Sequence, residues 1–161
     1  MSYNIALAKE IDLYLDSQEW HYTFDPEKGI FDFAMNIGGK LNRVFIKILV
    51  GEKHFSVYAV APMHADESDA KSFALVNEYL TRANYGLRTG NFELDYYDGE
   101  MRYKASLFCA DKIPTEEIIA HVVDIPFLMW ARYGNGMLNV LYGGKNPAEE
   151  IEKAESRDSD D

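Results

Sequence analysis

Residues 91–109 read Asn-Phe-Glu-Leu-Asp-Tyr-Tyr-Asp-Gly-Glu-Met-Arg-Tyr-Lys-Ala-Ser-Leu-Phe-Cys. At their centre, Asp98-Gly99 is the pair that a two-residue type I′ hairpin turn favours, because both central residues need positive φ. A turn there sets Tyr96 opposite Met101, Asp95 opposite Arg102, Leu94 opposite Tyr103, Glu93 opposite Lys104 and Phe92 opposite Ala105. One face then carries Phe92, Leu94, Tyr96, Met101, Tyr103 and Ala105, all suited to burial. The other carries the opposite-charge pairs Asp95–Arg102 and Glu93–Lys104, which suit a solvated face. A slip of one residue would bury those charges, so the side each residue faces is strongly specified.

Upstream of the hairpin, Phe73, Val76, Leu80 and Ala83 recur at helical spacing and predict a helix over 68–84, capped by the acidic loop Asp66-Glu-Ser-Asp69 and ended near Gly86. Before it lie four strand-like runs: Trp20–Phe24, Ile30–Ile37, Arg43–Val50 and His54–Ala61. Their turns are marked by Asp25-Pro-Glu-Lys-Gly29, Gly38-Gly39-Lys40 and Gly51-Glu-Lys53, which suits an antiparallel meander. Residues 2–17 form an amphipathic helical pattern around Ile5, Leu7, Ala8, Ile11 and Leu15, with Ser2 as the expected cap. Downstream, Pro114-Thr-Glu-Glu117 opens a third helix with Thr115 as cap, and Pro126 is expected to kink or restart it before Gly143-Gly144. A short acidic helix can follow Pro147.

The expected fold class is therefore α+β, an antiparallel sheet of a meander plus a hairpin with helices packed on one face, in the order α-β-β-β-β-α-β-β-α. Residues 2–145 are expected to form a single domain, and 146–161 an acidic C-terminal extension ending in a solvated tail from Ser156.

The chain has 161 residues, 47% of them hydrophobic, which suits a folded domain with a real core. Its net charge of −11 opposes binding to nucleic acid, whose phosphates demand a basic surface. The start Met-Ser-Tyr-Asn has neither the basic nor the apolar segment of a secretory signal, and no apolar run is long enough for a membrane span. The one cysteine, Cys109, has no partner for an internal disulfide and falls in phase with the apolar side of the hairpin. These features predict a cytoplasmic protein with no membrane or nucleic-acid partner.

The segment Asn84-Tyr-Gly-Leu-Arg-Thr-Gly-Asn-Phe-Glu-Leu-Asp-Tyr-Tyr-Asp-Gly-Glu-Met-Arg-Tyr-Lys104, continuing to Thr115, resembles the bacterial YbjN family. Its members carry a similar run of Asn, then Gly-x-Phe, then Asp-Gly-Glu-x-Arg-Tyr between a helix and a sheet. They are described as sensory-transduction regulators with a type III secretion chaperone-like fold. The resemblance covers about residues 2–143. It implies a small acidic protein that binds other polypeptides and forms a homodimer, and it brings no catalytic residues.

Chemistry-bearing patterns are sparse. His21, His54, His64 and His121 are scattered, without the His-x-His or His-Glu-x-x-His spacing of a metal site. His64 with Asp66 and Glu67 could hold a metal weakly, but a solvated loop is the better reading, since a closed site wants three or four convergent ligands. Asp95-x-x-Asp-Gly-Glu100 matches part of a calcium loop, but Tyr97 and Gly99 occupy ligand positions and the hairpin explains the residues better. Gly143-Gly-Lys145 lacks the rest of a phosphate loop. No catalytic, cofactor or metal residue is assigned.

Two apolar groups point instead to an interaction surface. Phe45, Leu49, Tyr58 and Val60 fall on the side of their strands opposite the main core, where they either meet a partner or lie under a helix. Trp20, Tyr22 and Phe24 occupy a possible edge strand, open to strand addition. The expected function is a non-enzymatic protein-binding module, chaperone-like or regulatory, acting on a second copy or a client polypeptide. The alternative is a small enzyme or ligand-binding protein with a pocket under the kinked C-terminal helix.

Overall fold

The computed structural model describes residues 2–156. Helix α1, Ile5–Ser17, starts from Asn4 rather than Ser2, because the Asn4 side chain accepts the Leu7 amide at 3.0 Å. The Ser2 hydroxyl donates instead to Glu52. Strands β1 (Thr23–Asp25), β2 (Ile30–Gly38), β3 (Asn42–Val50) and β4 (His54–His64) form the meander. Helix α2, Ala70–Asn84, is capped by Asp69, whose carboxylate accepts the Ser72 amide. The hairpin strands β5 (Asn91–Leu94) and β6 (Glu100–Phe108) complete a six-stranded antiparallel sheet in the order β1-β2-β3-β4-β6-β5.

The hairpin differs from its expected pairing. Phe92 lies opposite Tyr103, Glu93 opposite Arg102 and Leu94 opposite Met101, a shift of two residues on one strand. The turn is a four-residue loop, Tyr96–Gly99, closed by Asp95 N–H to Glu100 O and Gly99 N–H to Asp95 O, each 2.9 Å. Gly99 has φ +74, whereas Asp98 is not left-handed and its carboxylate accepts the Glu100 amide. A shift of two keeps every side chain on its face, so the apolar pattern cannot tell the two registers apart. Tertiary contact does. Ala65 N–H donates to Gly99 O at 2.9 Å, and a Cβ on Gly99 would lie 1.9 Å from Ala65 O.

Of the expected Trp20–Phe24 strand, only Thr23 and Phe24 join the ladder, with Asp25, as β1. Glu19 reverses the chain at φ 56, and Trp20 packs inward, stacked on Phe33 at 5.7 Å and edge-on to Tyr14 and Phe127. The Tyr22 hydroxyl lies 2.7 Å from carboxylate oxygens of both Asp12 and Asp16 of α1.

Helix α3, Glu116–Gly143, starts at the Thr115 cap and continues through Pro126 without the expected restart. Pro126 costs the helix a hydrogen bond, but Val122, Val123, Pro126 and Trp130 are all buried, and that packing outweighs the loss. The Trp130 indole N–H donates to Ala59 O at 2.8 Å, and Tyr79 of α2 donates to Tyr133 O at 2.7 Å, so α3 is tied to both sheet and helix. Gly144, at φ 59, ends it. Helix α4, Pro147–Glu155, lies in the segment expected to be an acidic extension. It nonetheless packs on α2 and α3 and buries Ile151 and Ala154. Of the expected solvated tail, residues 157–161 lie outside the described residues.

Candidate functional site

Strand alternation sends Phe31, Val44, Ile46, Ile48, Phe55, Val57 and Tyr103 under the helices, where each is essentially fully buried. The intervening residues make the opposite face. Among the described residues no helix covers it: Phe45 at its centre is 49% exposed, and Ala34, Lys47 and Ser106 are exposed around it. Two cross-strand rows span this open face. One runs Ala34, Phe45, Val60, Arg102, and the next runs Asp32, Lys47, Tyr58, Lys104. Leu49, paired with Ile30 and Ser56, extends the apolar group toward the β3–β4 turn.

The face is ionically ordered around that apolar centre. Lys47 lies 3.1 Å from Asp32, and Glu93 is 2.7 Å from both Arg102 and Lys104. Glu93 therefore takes two partners, because the observed register sets Arg102 directly opposite and Lys104 diagonally. Asp95, expected to pair with Arg102, instead accepts the Tyr97 amide in the turn. The Arg102 guanidinium also sits 4.6 Å over the Tyr58 ring. Burial works to raise the Glu93 carboxyl, but hydrogen bonds from Lys104 and Arg102 outweigh it and hold the group below the usual carboxylate range.

Charge separates by layer. The strands carry four acids and four bases, net zero, and pairing places all eight on the open face. The four helices carry eleven acids against five bases, net −6. The open face is thus neutral on an acidic molecule.

Of the expected interaction residues, Phe45, Leu49, Tyr58 and Val60 come together on this face. Trp20, Tyr22 and Phe24 do not join them; they lie on the covered side, where Phe24 stacks on Phe31 at 4.3 Å. At the far edge, Asn84 does what its sequence context did not announce. Its side-chain oxygen accepts the Phe92 amide at 2.6 Å and its NH₂ donates to Phe92 O at 2.9 Å, so a side chain occupies both main-chain groups of Phe92 on β5.

The histidines serve local structure: His64 donates to Asp98 O at 2.9 Å, and His121 Nε2 lies 3.1 Å from the Thr89 hydroxyl. Burial pushes the Cys109 thiol up, away from the thiolate a nucleophile needs. Among the described residues no three His, Cys, Asp or Glu side chains stand together as metal donors, and no helix is long and apolar enough to cross a membrane. At the junction of α3 and α4 a small polar recess of about 100 Å³ holds Glu150, buried between Asn139 at 2.8 Å and Lys153 at 2.6 Å. No protein-family model, curated protein or solved structure matches the chain.

Proposed function

We propose that this chain is a protein-binding module without catalysis, of chaperone-like or regulatory type, which docks through the open face of its sheet and associates first with a second copy of itself. The observation that carries the reading is Phe45, half exposed among Leu49, Tyr58 and Val60 on the face of the sheet that faces away from the helices. A face with balanced charge favours self-association, because two copies of a −11 chain repel wherever their acidic helices meet. The resemblance to the YbjN family over 84–115 supports a regulatory role, and the α-β-β-β-β-α-β-β-α order over 2–143 suits the chaperone-like fold that the resemblance implies. A cytoplasmic location accords with a single, half-buried cysteine.

Sedimentation at micromolar concentration tests this. The wild-type protein is expected to run as a dimer of the 18.4 kDa chain, and Phe45→Lys as a monomer that still folds and melts cooperatively. A monomeric wild-type protein, or a dimer indifferent to Phe45→Lys, overturns the proposal.

A further inference from the structure

The open face is a grid of cross-strand rows over β2, β3, β4 and β6. Beyond the two rows already described, a third runs Ile30, Leu49, Ser56, Ser106, and a fourth holds Gly51, His54 and Phe108. Phe108 stands at the β6 corner of this grid and is 73% exposed, more than Phe45. At the opposite corner, across the sheet, Ile30 and Leu49 line a groove that is bare of side chain at Gly51. One corner thus projects an aromatic ring, and the other offers an aliphatic recess.

Charge decides how two such faces can meet about a two-fold axis. With the axis parallel to the strands, each row meets the same row reversed. An axis over β3 sets Lys47 on the partner's Lys47, and an axis over β4 sets Lys47 on the partner's Lys104. An axis across the strands, through the middle of the face, lays Asp32 on the partner's Ile30 and Lys47 on the partner's Leu49. The axis between β3 and β4 avoids all of these. It sets Asp32 against the partner's Lys104 and Phe45 against the partner's Val60, and it carries the partner's Phe108 to the groove beside Ile30. Asp32 already lies 3.1 Å from Lys47, but a carboxylate accepts more than one cation, as Glu93 does with Arg102 and Lys104. Aligned sheets pack about 30° apart, a shift of about 4 Å at β2 and β6 that long side chains span.

We propose that the groove beside Ile30 and Leu49 receives the partner's Phe108, in a face-to-face dimer whose two-fold axis runs parallel to the strands between β3 and β4 and pairs Asp32 with the partner's Lys104. This rests on the self-association proposed above and fixes its geometry.

Dimer dissociation constants of the full chain, measured by sedimentation over a concentration series, test the geometry. Phe108→Ala should weaken the dimer at least roughly tenfold while the chain still folds, since the ring is solvated in the single chain. Asp32→Lys and Lys104→Asp should each weaken it at least roughly tenfold, because each sets like charges together twice. An equimolar mixture of these two variants should recover dimerisation, since every heterodimer again sets opposite charges together at both places. Mixing repairs neither chain's own contacts with Lys47 or Glu93, so the recovery reads contact between copies alone. If Phe45→Lys dissociates the dimer but the mixture stays as weak as its components, or Phe108→Ala or either charge variant dimerises as the wild type does, this geometry is overturned and the docking face stands. A monomeric wild-type protein overturns both.

Discussion

The two faces of the sheet are built from the same strands, residue by alternate residue, yet they solve opposite problems. On the covered face Phe31, Ile46, Ile48, Phe55 and Val57 lose all contact with water beneath α1 and α3. On the open face aromatic and aliphatic side chains of similar size sit among ion pairs, with Phe45 half exposed. Strand propensity does not separate Phe45 from Phe31, since both favour a pleated surface. What separates them is whether a helix lies above. Burial makes the first face the source of stability, and exposure leaves the second free to gain its burial from another molecule.

Truncations matched across the faces should widen this contrast. Phe31→Ala removes a ring packed by Phe24 and Tyr22 and should cost about 3–5 kcal/mol. Phe45→Ala should cost the isolated chain below about 1 kcal/mol. Denaturant unfolding at a concentration where the chain is monomeric measures both, and similar losses would mean that the open face is covered in solution.

Next in size is Gly99→Val, which adds a forbidden Cβ contact with Ala65 O to the strain of φ +74. A loss of about 2–4 kcal/mol is expected. Asp98→Asn should be nearly neutral, because the amide oxygen still accepts from Glu100. A melt in which asparagine hurts as much as valine would assign Asp98 a role beyond the turn.

The ion pairs of the open face give a smaller, pH-dependent effect. The Glu93 carboxyl titrates below its ordinary value of 4.5, so its contribution is complete above that value and is lost as pH falls through the lower folded value. Glu93→Gln should cost about 1–2 kcal/mol at pH 7. The difference from wild type should shrink as acid protonates the native carboxylate. A gap that stays constant from pH 7 to pH 3 would show that charge is not what Glu93 contributes.

Much of this architecture was legible in one dimension because it depends on periods and caps. Period-two alternation assigned Phe92, Met101, Tyr103 and Ala105 to the core and Glu93, Arg102 and Lys104 to solvent, and it placed Phe45, Leu49, Tyr58 and Val60 on a common second face. The side chains of Asp69 and Thr115 and the left-handed backbone of Gly144 set helix ends that their local sequence announces. A local rule could not choose between two hairpin registers of equal parity, however, because that choice rests on Gly99 meeting Ala65, thirty-four positions away. Nor could it foresee that Trp20 and Tyr22 turn inward to α1 or that Asn84 seals the β5 edge, and it left open whether the helix restarts at Pro126. The openness of the second face has the same character. Residues 43–60 determine which side chains point there, but only the placement of all four helices on the other side leaves Phe45 uncovered, since burial is a property of what the rest of the chain packs above a residue.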